Sequence, residues 1–200
     1  MITVIDYEGG NIKSILNVLK RCSANFQISA NEKEIHNSKK LILPGVSNFS
    51  YCMKSLKEKK LVKIIKDFTN ENKPFLGICS GMQILGSFSE EGYCEGLNLI
   101  EGQVKKFPLE KCKIVPHMGW NKIQIKNDIL TKNIKNLQRF YFCHSYYFEP
   151  KNIENVMLTT NYHIDFCSGI KKNNIFGIQF HPEKSLNDGI KLFNNFINLE

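Results

Sequence analysis

The 200-residue sequence predicts an α/β fold: a doubly wound, mostly parallel sheet with helices on both faces, extended in the C-terminal half by antiparallel ribbons. Three observations carry that prediction. Short apolar strands alternate with amphipathic helices through the N-terminal half. A cysteine between two glycines marks a strand-to-helix turn within that alternation. Beyond it the pattern changes to short alternating segments broken by turn residues.

In chain order, residues 2–6 are an apolar strand ending at Asp6, followed by a glycine-containing turn. A helix from about Asn11 to Cys22 places Ile12, Ile15, Leu16 and Leu19 at helical spacing. Phe26–Ser29 reads as the second strand, 32–37 as a short helix, and Leu41–Leu43 as the third strand. After the Pro44-Gly45 turn, residues 50–70 are helical and split near Lys59-Lys60. An apolar strand then leads to Cys79, and Ser80 to Phe88 reads as the helix that follows. Residues 97–126 and 138–180 hold the ribbons, with Gly169 to Asn174 as a hairpin linker between Ile164–Ser168 and Ile175–Phe180. The last helix, about 186–198, packs Ile190, Leu192, Phe193, Phe196 and Ile197. No repeat, low-complexity tract or linker divides the chain, so residues 1–200 read as one domain. An apolar fraction of 42% suffices to fill its core.

Composition narrows the function. Seven cysteines occur without metal-ligand spacing or a Cys-x-x-Cys pair, and the N-terminus turns acidic at Asp6, unlike a leader peptide. No stretch approaches the ~20 apolar residues of a membrane span. These features point to reduced thiols in a soluble cytoplasmic protein with no metal. The net charge of +8 invites a nucleic-acid reading, but Arg21 and Arg139 are the only arginines and the lysines are dispersed. The bidentate fork favoured for base readout is nearly absent, and that reading is rejected. A basic face still suits anionic substrates or an acidic partner.

The chemistry concentrates in two segments. Pro74-Phe-Leu-Gly-Ile-Cys-Ser-Gly-Met-Gln83 sets Cys79 on a turn between strand and helix, where Gly77 and Gly81 permit a sharp bend and open access to the sulfur. On that reading the thiol is exposed at the positive end of a helix, which favours the thiolate. Ile178-Gln-Phe-His-Pro-Glu183 ends an apolar strand at a histidine, with a carboxylate two residues on to orient it. Cys79, His181 and Glu183 thus offer nucleophile, base and orienting acid for opening an amide. An esterase of dienelactone-hydrolase type would carry its acid before the final histidine, whereas Glu183 follows it. A scaffold without turnover would not need all three groups.

These motifs resemble the class I (triad) glutamine amidotransferases, and more narrowly the glutaminase subunits of imidazole glycerol phosphate synthases. The matching stretches are Asp6-Tyr7 with Gly10-Asn11, Leu43-Pro-Gly-Val46, Gly77-Ile-Cys-Ser-Gly-Met-Gln83, Ser89-Glu-Glu-Gly92, Pro116-His-Met-Gly-Trp-Asn121, Phe140-Tyr-Phe-Cys-His-Ser-Tyr-Tyr147 and Gln179-Phe-His-Pro-Glu-Lys-Ser185. The resemblance implies a flavodoxin-like sheet and hydrolysis of L-glutamine to glutamate and ammonia without a cofactor. It implies an oxyanion hole from the Ser80 amide and the Gly45-Val46 peptide after a flip, and a substrate pocket lined by Gln83, His144, Ser145 and Tyr146. The implied partner is a (β/α)8-barrel cyclase subunit in a heterodimer, contacted through Asn11, Trp120, Tyr141 and Lys184. Together with Trp120, His117 reads as part of an aromatic contact surface. Glu8-Gly9 and Ser47 depart from the family pattern, and a Cβ at 47 restricts loop flipping if that position needs positive φ. The segments Asp165–Ile170 and Ile175–Ile178 also resemble paralogues that feed ammonia to surface-sugar (acetamidino sugar) amidotransferases, so the acceptor pathway stays open.

Overall fold

The computed structural model describes residues 1–126 and 128–199. Its parallel half follows the predicted alternation closely: β1 (Ile2–Ile5), α1 (Ile12–Arg21), β2 (Phe26–Ser29), α2 (Glu32–His36), β3 (Lys40–Leu43), α3 (Phe49–Glu58), α4 (Leu61–Asn70) and β4 (Phe75–Ile78). The break between α3 and α4 falls at Lys60, whose left-handed φ of 58° ends one helix and starts the next. All four residues of β1 and of β4 are buried, as expected of strands covered on both faces.

Next come α5 (Ser80–Gln83), β5 (Phe88–Ser89), β6 (Cys94–Glu95), β7 (Gly102–Lys106), β8 (His117–Lys122), β9 (Gln124–Ile125), β10 (Arg139–His144), β11 (Tyr146–Pro150), β12 (Val156–Asn161), β13 (Asp165–Lys172), β14 (Ile175–Ile178) and α6 (Leu186–Ile197). Strands β2-β1-β3-β4-β14 lie side by side and parallel, and β13, β11, β7, β5 and β6 continue the sheet. The β8–β10 ribbon forms a separate antiparallel pair. Alternate strand residues feed two cores. Ile42 and Leu76 meet α1 and α6, whereas Leu41, Leu43 and Phe75 meet α2, α3 and α4. Helices therefore cover both faces of the parallel region.

Two sequence expectations need correction. The helix after Cys79 stops at Gln83 instead of reaching Phe88. Its continuation is pre-empted because the carbonyls of Ile84, Leu85 and Gly86 accept from Leu97, Leu99 and Asn98. A distant segment thus satisfies acceptors that a further helical turn would have used. The second concerns Gly169–Asn174, expected as a linker. Strand β13 runs through Lys172, which pairs with Ile175, so the turn is only Asn173-Asn174. Asn173 takes the positive φ of 54° that such tight turns require. Gly169 is a strand residue whose missing side chain makes room for Leu158.

Candidate active site

Strands β4 and β14 are parallel neighbours in register, Ile78 opposite Ile178, so the residues just past their ends emerge together. Cys79 follows β4 and Gln179–His181 follow β14. The Cys79 amide donates to the Ile178 carbonyl at 2.8 Å, which fixes the turn to the sheet. Cys79 itself adopts φ 55°, ψ −114°, a costly conformation for a residue with a side chain. The flanking glycines serve differently from the sequence expectation. A Cβ on Gly77 would run into the Gly81 backbone, and one on Gly81 into the Leu43 carbonyl. They allow close approach of the backbone, and the cysteine carries the strained φ.

The sulfur is not exposed as anticipated. Cys79 is 4% accessible and lines a cavity of about 320 Å³ together with Ser80, Gln83, Tyr146 and His181. A larger hollow of about 1100 Å³ lies at the opposite end of the sheet, around Asn72 and Asn173-Asn174, and its lining includes no cysteine or histidine. The chemistry belongs to the smaller one.

His181 donates from Nδ1 to Glu183 Oε1 at 2.8 Å, and both side chains are buried. A 3-10 turn over Pro182–Lys184 brings the carboxylate back under the imidazole. Burial works against a charge on His181. The field and hydrogen bond of Cys79, then those of Glu183, outweigh it and push the pKa up to about 10. The imidazole is therefore held protonated at neutral pH, with the Cys79 sulfur facing it. Glu183 Oε2 is buried without a hydrogen-bond partner among the described residues, so the carboxylate directs its one bond to His181.

Ser80 begins α5, which puts its N–H beside the sulfur. The Val46 amide, in contrast, points away and donates to the Gly9 carbonyl at 2.8 Å. In this arrangement the Gly45-Val46 peptide offers no donor to the cavity. The loop is held by Ser80 Oγ donating to the Ser47 carbonyl at 2.6 Å and by Tyr7 Oη donating to the Pro44 carbonyl. Ser47 is not among the residues with positive φ, so its Cβ carries no such strain. The departure that does carry strain is Glu8, at φ 66°, whose carboxylate pairs with Lys59 at 2.8 Å.

Of the expected substrate residues, Gln83, Ser145 and Tyr146 line the cavity. Gln83 Nε2 donates to the Tyr146 carbonyl at 2.9 Å and to Gln179 Oε1 at 3.0 Å, leaving Gln83 Oε1 as the free acceptor. His144 also borders the cavity, but both ring nitrogens are engaged, Nδ1 with the Tyr146 carbonyl at 2.7 Å and Nε2 with His117 Nδ1 at 2.9 Å. Burial pushes it down to about 3, so the ring is neutral and binds structure before substrate. His117 is no surface residue. It is 2% accessible and stacks between Phe142 and Tyr162. Its place on β8 opposite His144 on β10 turns both rings inward.

Three of the four expected contact residues meet at the rim. Trp120 is 46% exposed and edge-on to Tyr141, and Lys184 Nζ lies 5.5 Å from the Tyr141 ring centroid. Asn11 is exposed at the start of α1 and its side chain makes no capping bond. Gln179, fully buried with Nε2 3.7 Å from Cys79 Sγ, was not anticipated. The signal was present: a polar side chain inside the apolar run Ile175–Phe180, two residues before His181.

The family model for glutamine amidotransferase class-I matches residues 3–199. The chain is 43% identical over 202 residues to the imidazole glycerol phosphate synthase subunit HisH 2 of Pseudomonas aeruginosa, covering 100% of both chains. It is 44% identical over 200 residues to the subunit HisH 2 of Methanococcus maripaludis, covering 98% of each. Among solved structures, PurLQS from Thermotoga maritima has a TM-score of 0.75 at 20% identity, over 98% of this chain and 97% of that one, a likeness of fold.

Proposed function

The chain belongs to the class-I glutamine amidotransferases, and from that premise we propose that it is the glutaminase subunit of an imidazole glycerol phosphate synthase. It hydrolyses L-glutamine to glutamate and ammonia. The observation that carries this reading is the match to such subunits over the whole of both chains. The juxtaposition of Cys79, His181 and Glu183 in one cavity agrees with it. One domain, residues 1–200, accounts for the chain in this reading.

Cys79 attacks the side-chain amide carbon of glutamine. His181 transfers its proton to the departing nitrogen, so ammonia leaves and an acyl-thioester remains. His181, now neutral, activates water to release glutamate, with Glu183 holding the ring in place throughout. The Ser80 N–H supplies one oxyanion donor. The second comes from the Gly45-Val46 peptide once it turns from Gly9, and removal of such a donor typically costs about 10²–10³ in rate. Gln83 Oε1 accepts from the substrate, and the backbone of Ser145 and Tyr146 lines its path.

Ammonia released to water at neutral pH becomes ammonium, which is not a nucleophile, so the product must pass directly to an acceptor enzyme. We assign that role to a (β/α)8-barrel cyclase in a cytoplasmic heterodimer, docked on the patch of Trp120, Tyr141 and Lys184 and contacting Asn11. No helix among the described residues is long and apolar enough to cross a membrane. The test is to isolate the chain with its partner and assay the nucleotide substrate. Turnover with glutamine that Cys79→Ala abolishes, while added ammonium salts still support it, is the expected result. Glutamine-dependent turnover in Cys79→Ala would refute the nucleophile. Recovery of a sugar amidotransferase as the acceptor would move the subunit to the other pathway.

A further inference from the structure

We propose that Gln179 holds Cys79 as a thiolate by donating an N–H to its sulfur, and that the direction of this bond is set by the Tyr146 carbonyl acting through Gln83. The proposal rests on Cys79 being the nucleophile. The need for such a donor follows from the shortness of α5, four residues, which leaves little helix dipole to stabilise negative charge.

The direction can be read bond by bond. Asn121 is anchored by two backbone groups: its Nδ2 donates to the Asn161 carbonyl at 2.9 Å, and its Oδ1 accepts from the Lys122 amide at 2.8 Å. Nδ2 therefore also donates to His117 Nε2, at 3.1 Å. With that nitrogen accepting, the His117 proton lies on Nδ1 and is donated to His144 Nε2. His144 then carries its own proton on Nδ1 and gives it to the Tyr146 carbonyl. The same carbonyl accepts from Gln83 Nε2, whose second hydrogen goes to Gln179 Oε1. Gln179 is left with its amide nitrogen toward Cys79. Turning the Gln179 amide over would set nitrogen against nitrogen at Gln83 and oxygen against sulfur at Cys79. The Tyr146 carbonyl can only accept, so it fixes the His144 tautomer and the Gln83 amide separately, and through Gln83 the Gln179 amide. Burial lowers His117 to about 4 and His144 to about 3, which keeps both rings uncharged across the neutral range.

Several ionisable groups face the same sulfur. His181 meets it from the end of β14, His144 and Cys143 from β10, Tyr7 and Cys52 from behind, and Glu91 and Lys184 from the rim. None is altered when Gln179 is changed, so they form a constant background for the test. The experiment is the pH profile of Cys79 alkylation by iodoacetamide in the full chain, read from the mass of the Cys79 peptide, with folding checked by circular dichroism. In Gln179→Leu the alkylation midpoint is expected to rise by about one pH unit, the size of one charge-assisted hydrogen bond. In the isosteric Gln179→Glu, which keeps the shape and sets a carboxylate against the sulfur, it rises further. Gln83→Leu, which removes the donor that holds Gln179 Oε1, frees the Gln179 amide to turn over and produces a smaller rise. An unmoved midpoint in folded Gln179→Glu overturns the donor role. An unmoved midpoint in folded Gln83→Leu overturns Gln83 as the source of direction. Failure of the nucleophile assignment is separate, because glutamine turnover would then survive Cys79→Ser.

Discussion

The two sides of Cys79 are built on different principles. On one side, β1 to β4 and their helices bury Leu41, Ile42, Leu43, Phe68, Phe75 and Leu76 in largely apolar layers. On the other, the ribbons bury His117, His144, Thr160, Ser168 and Gln179, each needing a specific partner. The apolar side holds the turn by packing, which is non-directional and spread over many contacts. The ribbon side holds it by directed bonds, which are few and can be broken singly. Damage to the first should appear as lost stability, and damage to the second as altered chemistry in a folded protein.

The largest effect is expected at Cys79, the proposed nucleophile. Cys79→Ala removes no buried ring and opens no large void, yet glutamine turnover should fall by about 10⁵-fold or more, with the denaturation midpoint nearly kept. Glu183→Gln comes next, with an expected loss of about 10³–10⁴-fold, because a neutral amide cannot stabilise the imidazolium. Steady-state kinetics on the complex would check both. On the apolar side, Phe68→Ala should cost about 3–5 kcal/mol in urea denaturation. The fraction that stays folded should keep the parent's alkylation profile at Cys79. A profile shifted as far as in the Gln179 variants would erase the distinction between the two sides.

Acid supplies a milder probe. His117 and His144 are held neutral in the fold, with pKa values near 4 and 3, whereas the unfolded chain takes up their protons from about pH 6.5 downward. Their contribution is present above that pH and drains as pH falls, at roughly 1.4 kcal/mol per histidine per pH unit. His181 has the opposite sign. Its raised pKa contributes below about pH 6.5 and the contribution is lost as pH rises through about 10. Urea denaturation between pH 7 and pH 5 should therefore show a loss that His117→Phe reduces. The smallest effect is expected at Lys184→Ala. An exposed cation over a ring contributes roughly 0.5–1 kcal/mol, so the variant should weaken partner binding only several-fold in calorimetry.

The same division explains what was legible in sequence. Apolar alternation located β1 through β4 within a residue or two, since each strand and helix there answers to its own periodicity. The Gly-Ile-Cys-Ser-Gly turn and His-Pro-Glu run located Cys79, His181 and Glu183. Features fixed by distant partners were missed. Ile84 and Leu85 continue a helical pattern, but residues 97–99 claim the local carbonyls. Gly169 reads as turn residue until Leu158 fills its space. His117 beside Trp120 reads as surface because one-dimensional spacing does not show that β8 pairs with β10 and turns alternate residues inward.

The most direct measurement is mass spectrometry of the chain after treatment with a glutamine-mimicking diazoketone, with and without excess glutamine. One adduct per chain is expected, on Cys79 Sγ, suppressed by glutamine and formed much more slowly in Glu183→Gln. An adduct on another cysteine, or none at all in a preparation that still releases glutamate, would contradict it.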